Sequence, residues 1–422
     1  MSDAGDKIKR TLERLGEYYP PLRTLAILGS HPRMSAAAVF FSFAAIDAAR
    51  RLRRLGFLRG AMDAVLVNRH QAMAHHPNFV ANRGDRRIQI LSVSLTYHCS
   101  RGCSFCYAKG LKEKFREHMT PENFSLLCDW ALSQGWRCVR LIGGEPTEHP
   151  RFAELLEIAG RKGLTVYVTT NGLFGPELNG PLAANHVRSI CYSYPQEEAS
   201  PAQLENFRRN FAHSADHGRI VSLACVITRT DDGWRRAIDF ARRYRARTMI
   251  RFSLELPGHA RNFGTAEAAA RLRELGDKAY GIARAAAQAG VVFAFYRPLI
   301  PCIFKPEQLA YFRSVSPFLF YTRCPLCLDG EYDAHQKFLV NPDLSCYPCT
   351  ALAAEGVKIG PGVTREDLDA RFAPLVKDIA RRPLMDACSG CEYHASYLAK
   401  LESPQDLADR TVCQGGCFQY RV

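Results

Sequence analysis

Three cysteines lie close together in one short stretch of the chain. Cys99, Cys103 and Cys106 form a C-x3-C-x2-C pattern within TYHCSRGCSFCYAKG. Thiolates are preferred ligands of iron–sulfur clusters, so three in one loop can bind three irons of a 4Fe-4S cubane and leave the fourth iron open. An open metal position is typical of a reactive centre, whereas structural zinc sites favour four protein ligands. The pattern favours a reactive cluster, with zinc as the alternative.

A second group of cysteines lies towards the C-terminus, between residues 302 and 417. CPLC and CYPC together form C-x2-C-x18-C-x2-C, a spacing that reads as a four-ligand zinc or rubredoxin-like site. CSGC and CQGGC offer four more thiols. The candidate ligands are Cys324, Cys327, Cys346, Cys349, Cys388, Cys391, Cys413 and Cys417, and Cys302 or Cys346 is a candidate irregular ligand. We expect one or two auxiliary 4Fe-4S clusters, with zinc or mononuclear iron as the alternative.

The other cysteines, Cys128, Cys138, Cys191 and Cys225, occur singly within predicted helix or strand. A buried free cysteine commonly behaves as a small hydrophobic residue, so we assign them no chemistry. No basic and apolar leader is recognised in the sequence, and we therefore expect a cytoplasmic protein. Thiols stay reduced in that compartment, which favours metal binding over disulfides.

The basic charge is concentrated in residues 1–87. The whole chain carries a net charge of +14, and this segment has 15 Lys and Arg against 7 Asp and Glu. Its thirteen mostly apolar residues 34–46, followed by leucines at three- and four-residue steps between arginines, predict helix. The apolar stretch is too short to cross a bilayer, which needs about 20 residues. We expect either a helical cap on the main domain or a basic surface that contacts anionic lipid at the inner membrane.

Short apolar runs recur from residue 88 onwards and alternate with helical stretches. The runs begin near residues 88, 138, 164, 189, 220 and 248, which predicts six strands. Thr120 as N-cap, Pro121 at the first helical position and Gly135 as the stop predict one of the helices. The interval between one run and the next is long enough for a connecting helix, as in βαβ units. We therefore expect an α/β fold with a parallel sheet and outer helices.

The candidate motifs follow the carboxyl ends of these strands, where parallel sheets build their sites. The cysteine loop follows the first strand, GGEP (143–146) the second, TTNG (169–172) the third and Ser193 the fourth. We expect all of them at one edge of the sheet.

The cysteine loop resembles the signature of the radical S-adenosylmethionine (radical SAM) superfamily, in which CxxxCxxC ends the first strand and an aromatic residue, here Phe105, precedes the third cysteine. The resemblance extends from residue 89 to about residue 260. It implies a partial (β/α)6 TIM-type barrel, with S-adenosylmethionine (SAM) and a 4Fe-4S cluster as cofactors. It also implies a flavodoxin- or ferredoxin-type electron donor.

The resemblance implies roles for the edge residues. SAM chelates the open iron, and an electron from the cluster cleaves it to a 5'-deoxyadenosyl radical that abstracts hydrogen from an unactivated carbon. GGEP matches the motif that contacts the SAM amino group, and glycines there would let a ligand approach the backbone. The residues implied to bind SAM are Phe105, Gly143, Gly144, Glu145, Pro146, Thr170, Asn171 and Ser193. No catalytic side chain is expected beyond the cluster ligands.

The C-terminal cysteines resemble the SPASM auxiliary-cluster domain of peptide- and protein-modifying radical enzymes. NPDLSCYPC stands where that pattern has Pro-Asp-Gly before Tyr-Pro-Cys, and CQGGC where it has Cys-x-Gly-Gly-Cys. The chain departs from the pattern in having Leu344 at the usual glycine and 21 residues between Cys391 and Cys413. We therefore divide the chain into a basic helical extension (1–87), a radical SAM barrel (88–260), a helix and strand connection (261–300) and a cysteine-rich domain (301–422).

Several substrate classes follow from these features. The SPASM-like tail favours oxidation or cross-linking of a peptide or protein side chain, in a radical SAM oxidoreductase or transferase. The apolar, basic N-terminal segment favours a membrane lipid or another hydrophobic metabolite instead. Nucleic acid is disfavoured, because the excess charge lies away from the barrel. A non-enzymatic iron–sulfur electron carrier or zinc scaffold is the alternative from another class.

Overall fold

A computed structural model describes most of the chain from residue 90 onwards. The described residues are 90–195, 199–217, 219–244, 250–255, 266–289, 291, 293–295, 299–315, 338–349, 352, 355–382 and 386–402. The predicted helix within residues 1–87 and four of the candidate ligands, Cys324, Cys327, Cys413 and Cys417, lie outside them. The helices and strands lie in one compact unit of the chain, residues 84–243 and 249–422.

Ten strands form one sheet in the order β10-β9-β8-β1-β2-β3-β4-β5-β6-β7. The strands are β1 (Ile90–Thr96), β2 (Cys138–Gly143), β3 (Thr165–Thr170), β4 (Val187–Ser193), β5 (Ile220–Ile227), β6 (Ile250–Leu254), β7 (Phe293–Phe295), β8 (Leu339–Val340), β9 (Ser345–Tyr347) and β10 (Val357–Lys358). Neighbouring strands from β8 through β1 to β7 pair in parallel. The pairs β8–β9 and β9–β10 are antiparallel.

The α/β fold predicted from the sequence is confirmed, and β1 to β6 coincide with the six predicted strands. The sheet also extends beyond them on both sides. Strand β7 pairs with β6, and β8, from the C-terminal segment, pairs with β1. Strands from residues 261–300 and 301–422 thus continue the barrel sheet, and the division of the chain into four segments stays a prediction.

Ten α-helices connect and follow the strands in the described residues. They are α1 (Lys109–Lys114), α2 (Pro121–Ser133), α3 (Phe152–Arg161), α4 (Asn179–Leu182), α5 (Pro201–Asp216), α6 (Gly233–Arg243), α7 (Ala266–Gln288), α8 (Pro306–Val315), α9 (Arg365–Arg381) and α10 (Glu392–Glu402). Within the described ranges, no helix is both long and apolar enough to span a bilayer.

Local sequence explains the ends of α2. The Thr120 side chain accepts a hydrogen bond from the Asn123 amide at 3.1 Å, and Pro121 takes the first helical position, where no amide donor is needed. Gly135, just beyond the helix, has a φ of 90°, which glycine adopts without a steric penalty. The predicted start and stop of this helix are both confirmed.

The two faces of the sheet differ in polarity. On β4, Tyr192 packs against Phe207 and Phe211 of α5, with ring centroids 5.7 and 5.2 Å away, so this face of the sheet is covered by helices. Side chains alternate along a strand, and Cys191 and Ser193 therefore lie on the opposite, inner face. The inner face of β1 carries Ser92, Ser94 and Thr96, all buried. The barrel thus has an apolar outer layer and a polar interior.

Leu344 lies in the turn between β8 and β9. Its φ of 69° is the only positive φ of a non-glycine residue in the described part of the chain. The position at which the SPASM pattern has glycine is thus a left-handed one, which costs an L-residue about 1–2 kcal/mol. The Leu344 side chain is buried, and its hydrophobic burial offsets this cost.

Candidate functional site

The cysteine loop lies between β1 and α1, at the carboxyl edge of the sheet. All three of its cysteines, Cys99, Cys103 and Cys106, are half-buried. The Cys106 amide donates to the Cys103 carbonyl at 3.2 Å, and Lys112 Nζ donates to the Cys99 carbonyl at 3.3 Å. These bonds fold the loop back on itself and leave its thiols partly accessible.

A small apolar cluster packs against the cysteine loop. Tyr97, Ala108 and Phe115 form it, and Cys106 packs against it. The Tyr97 and Phe115 rings are stacked with centroids 5.5 Å apart. The residues on both sides of the cysteines are therefore anchored in the core, which restricts the positions of the thiols between them.

Glu148 holds the loop from the β2 side. Its carboxylate accepts hydrogen bonds from the Ser100 amide at 2.9 Å and the Ser100 hydroxyl at 2.7 Å, and it lies 3.4 Å from His98 Nε2. A carboxylate that binds both donors of one residue fixes that residue strongly. Glu148 was not among the residues predicted from the sequence, and no motif marks it.

The GGEP glycines lie against the backbone of the cysteine loop. The Gly144 amide donates to Thr96 O, and the Glu145 amide to His98 O, both at 2.8 Å. A Cβ on Gly143 would lie 2.1 Å from Thr96 O, and one on Gly144 would lie 2.3 Å from His98 O. The absence of a side chain here serves the contact between two loops, a reason that the sequence alone did not indicate.

Glu145 connects the segments that follow β2 and β3 with its buried carboxylate. Oε1 accepts from Thr147 Oγ1 at 2.6 Å and Thr170 Oγ1 at 2.8 Å, and Oε2 accepts from the Asn171 amide at 2.5 Å. Burial raises the pKa of Glu145, and the hydrogen bonds from Thr147, Asn171 and Thr170 oppose that rise. Both Glu145 and Thr170 thus have partners within the protein.

Asn171 has an unused donor at this edge. It is 7% exposed, and its Oδ1 accepts from the Leu173 amide at 2.9 Å. Its Nδ2 has no hydrogen-bond partner among the described residues. A buried donor without a partner is costly, so this amide fits an acceptor oxygen of a bound molecule. Asn171 belongs to the TTNG motif and is one of the residues that the sequence predicted to bind SAM.

The remaining predicted edge residues are distributed around the loop. Phe105 is half-buried within the loop, and Ser193 is half-buried at the end of β4. Pro146 begins a short 3-10 helix, Pro146–Glu148, and is buried. Next to the loop, the Tyr107 hydroxyl donates to Gly143 O at 3.0 Å, which ties the loop to the GGEP segment. The structure brings all the motifs that follow β1 to β4 to one edge of the sheet, as the sequence indicated.

Arginines on the inner face were missed by the sequence reasoning. Arg251 of β6 donates to Cys191 Sγ of β4 at 3.6 Å, so it reaches across β5 within the barrel. Arg140 of β2 pairs in register with Tyr167 of β3, and burial raises the pKa of that phenol to about 12. The two-residue alternation of the strands was the signal that could have identified this basic, polar interior.

The described tail cysteines differ in accessibility. Cys346 of β9 is fully buried, whereas Cys349 is half-buried. Cys388 and Cys391 lie at the 3-10 helix Asp386–Gly390 and the start of α10. Desolvation is the main cause that raises the pKa of Cys302, followed by electrostatic interaction with Cys388 and Cys391.

The chemistry of the cysteine loop fits a cluster. Desolvation raises the pKa of Cys99, so metal binding there displaces a proton from the thiol. Among the described residues, no three His, Cys, Asp or Glu side chains converge on the position of one ion. A 4Fe-4S cluster needs each of its thiolates to bind a different iron, and the half-buried Cys99, Cys103 and Cys106 offer three thiols in one loop. By contrast, burial raises the pKa of Cys128 on α2 to about 12, and this thiol is part of the core.

Comparison with protein families identifies the segment that carries this site. Residues 93–193, from β1 to the end of β4, match the model of the Radical SAM superfamily.

Curated relatives match a segment of similar length. A probable GTP 3',8-cyclase of Thermococcus kodakarensis is 34% identical over 102 residues, which cover 24% of this chain and 33% of the relative. The GTP 3',8-cyclase of Ectopseudomonas mendocina is 29% identical over 121 residues, covering 28% and 37%. The chain thus spans about a third of the length of these relatives.

Solved structures match a larger share of the chain. SuiB of Streptococcus suis bound to its precursor peptide SuiA has a TM-score of 0.50 at 15% identity, over 94% of this chain and 89% of that one. Native anSMEcpe with bound AdoMet has a TM-score of 0.52 at 15% identity, over 79% and 90%. At this identity the similarity concerns the fold, which matches the partial barrel expected from the sequence.

Proposed function

Because the chain contains a radical SAM superfamily domain, we propose that it cleaves SAM reductively and uses the resulting 5'-deoxyadenosyl radical to abstract hydrogen from a peptide or protein side chain. SAM and a 4Fe-4S cluster are the cofactors of this domain. The observation that carries the proposal is the arrangement of Cys99, Cys103 and Cys106 in one anchored loop, at the same edge of the sheet as Asn171, whose Nδ2 has no hydrogen-bond partner among the described residues.

In this proposal the three loop thiolates hold the cluster, and the chain's other residues fix their positions. Glu148 binds both donors of Ser100, and the Gly144 and Glu145 amides bind the loop backbone. Asn171 Nδ2 would donate to an acceptor oxygen of SAM. Since both loops are bound to each other and to the core, little reorganisation is needed when the cofactors bind.

A substrate carbon would meet the radical from inside the barrel. The outer face of the sheet is covered by helices, whereas the inner face carries polar and half-buried side chains such as Ser193 and Arg251. A radical intermediate must be kept from solvent, and an interior bounded by strands supports that requirement.

The peptide class is supported by two features. The tail resembles the SPASM domain of peptide-modifying enzymes, and Cys349, Cys388 and Cys391 lie in its described part. Structures of similar fold include SuiB bound to precursor peptide SuiA and anSMEcpe bound to the Cp18Cys peptide. The GTP 3',8-cyclases match 28% of the chain or less. This partial match supports the radical SAM chemistry of the matched segment more than it supports a nucleotide substrate.

Deuterium transfer tests the proposal. The reconstituted enzyme is incubated under reducing, anaerobic conditions with SAM and an extract of source cells grown on deuterated medium, divided into protein, lipid and nucleotide fractions. We expect deuterium in 5'-deoxyadenosine with the protein fraction, abolished when that fraction is digested to amino acids. Transfer from the lipid or nucleotide fraction alone would overturn the peptide proposal.

A further inference from the structure

The β8–β9 hairpin of the tail contacts the residues that precede the cysteine loop. Asn341 directly follows β8, and β8 pairs in parallel with β1, which Tyr97 follows. Tyr347 is the last residue of β9. Asn341 and Tyr347 are 244 and 250 residues from Tyr97 in the sequence, and all three side chains meet at the carboxyl edge of the sheet.

The three side chains share one hydrogen-bond network. The Tyr97 hydroxyl donates to Asn341 Oδ1 at 2.7 Å, and the Tyr347 hydroxyl donates to the same oxygen at 3.2 Å. The phenol oxygens are 3.4 Å apart. Tyr97 is 1% exposed and the other two are fully buried. Hydrogen bonds in such an environment specify one geometry, because an unpaired buried polar group is costly.

Asn341 is itself held in one orientation. Its Nδ2 donates to Ser345 Oγ at 2.8 Å, and its backbone amide donates to the Ser345 carbonyl at 2.9 Å. The Leu344 amide donates to the Asn341 carbonyl at 2.9 Å. Since the amide nitrogen faces Ser345, the amide oxygen is directed at the two phenols.

Tyr97 transmits this contact to the loop. It lies two residues before Cys99, and its ring packs in the cluster that Cys106 contacts. On the tail side, Tyr347 lies between Cys346 and Cys349.

We propose that Asn341 and Tyr347 are positioning residues for the radical SAM cysteine loop, which they hold through the hydroxyl of Tyr97. The inference rests on the proposed function for the role of the loop, but the contact itself does not. It gives the tail a structural part in the radical-generating site, in addition to any metal centre of its own.

Hydrogen exchange of the reconstituted full chain tests the inference. Tyr97→Phe and Asn341→Leu are compared with the wild type by anaerobic mass spectrometry of peptides that span residues 97–108. We expect the exchange rate there to rise about tenfold, because each variant removes the short hydrogen bond of the network. Tyr347→Phe keeps that bond and removes the longer contacts, to Asn341 Oδ1 at 3.2 Å and to the Tyr97 hydroxyl at 3.4 Å, so we expect a rise of about threefold.

Gln134→Ala is the matched control. It removes another hydrogen bond between barrel and tail, from the Arg365 amide to Gln134 Oε1 at 2.9 Å, away from the loop. We expect no change in residues 97–108 for this variant. Unchanged exchange in Tyr97→Phe and Asn341→Leu, or an equal rise in Gln134→Ala, would overturn the inference.

Kinetics of SAM cleavage provide the second measurement. At equal iron per chain, we expect a higher KM for SAM in Tyr97→Phe and Asn341→Leu and no change in Gln134→Ala. A wild-type enzyme that forms no 5'-deoxyadenosine would contradict the proposed function, and the exchange comparison would still decide the positioning role. If Asn341→Leu does not fold, Tyr97→Phe and Tyr347→Phe decide it, since each removes one hydroxyl.

Discussion

Single residues at the edge of the sheet divide into those engaged by the protein and those available to a ligand. The sequence suggested SAM contact for Glu145, Thr170 and Asn171 alike, since GGEP and TTNG each resemble a motif of the radical SAM family. In the structure the Glu145 carboxylate and the Thr170 hydroxyl bind each other, whereas Asn171 Nδ2 lacks a partner among the described residues. A motif indicates that a residue lies near the site, but the hydrogen bonds decide what it does there.

Asn171→Asp tests the ligand role of the free donor. The variant keeps Oδ1, which accepts from the Leu173 amide, and loses the amino group. We expect the KM for SAM to rise about tenfold, the effect of losing one hydrogen bond to a ligand, at unchanged iron content. Asn179→Asp in α4 introduces the same change outside the edge motif and serves as the control. An unaltered KM in Asn171→Asp would exclude this donor from SAM binding.

At the scale of elements, the strand pattern predicted the fold well and the contacts between loops poorly. The six apolar runs predicted β1 to β6, because short apolar runs that alternate with helical stretches are typical of the buried strands of a parallel sheet. Glu148 binds Ser100 through polar side chains that belong to no motif. Gly144 packs against backbone atoms of the cysteine loop. Such contacts depend on tertiary placement, and no local pattern predicts them.

Gly144→Ala tests the contact between the β1 and β2 loops. The added Cβ would lie 2.3 Å from His98 O and 2.5 Å from Tyr97 O, and these backbone atoms cannot yield without moving the cysteine loop. We expect a destabilisation of about 1–3 kcal/mol in thermal or denaturant unfolding and a loss of iron from the reconstituted protein.

Gly110→Ala is the control, since nothing lies within 4 Å of its added Cβ and the residue is within α1. We expect this variant to be as stable as the wild type or more stable by about 0.5–1 kcal/mol. Equal effects in the two variants would show that Gly144 is not required for loop contact.

For the whole molecule, the sequence predicted two metal-binding regions, and the structure connects them through one sheet. Strand β8 of the tail pairs with β1, which leads into the cysteine loop. The spacing of the cysteines gave no indication of this continuity. Which tail thiols share a metal could not be derived from spacing either, because eight candidate ligands allow several pairings.

Cys349→Ala tests for an auxiliary cluster. The half-buried Cys349 is a candidate ligand, and its loss should lower the iron content of the anaerobically reconstituted protein by about four per chain if it holds a 4Fe-4S cluster. Cys225→Ala, at a fully buried core cysteine of β5, is the control and should retain all its iron. Unchanged iron together with a loss of zinc would favour the zinc alternative.

The central claim is that the loop thiols support reductive cleavage of SAM. The most direct measurement is the formation of 5'-deoxyadenosine and methionine from SAM by the anaerobically reconstituted full chain with dithionite. We predict cleavage by the wild type and by Cys128→Ala, whose thiol is buried in α2, and a loss of at least about 100-fold in Cys103→Ala, because its cluster lacks one of three protein ligands. No cleavage by a wild-type sample with a full complement of iron, or equal cleavage by Cys103→Ala, would contradict the account.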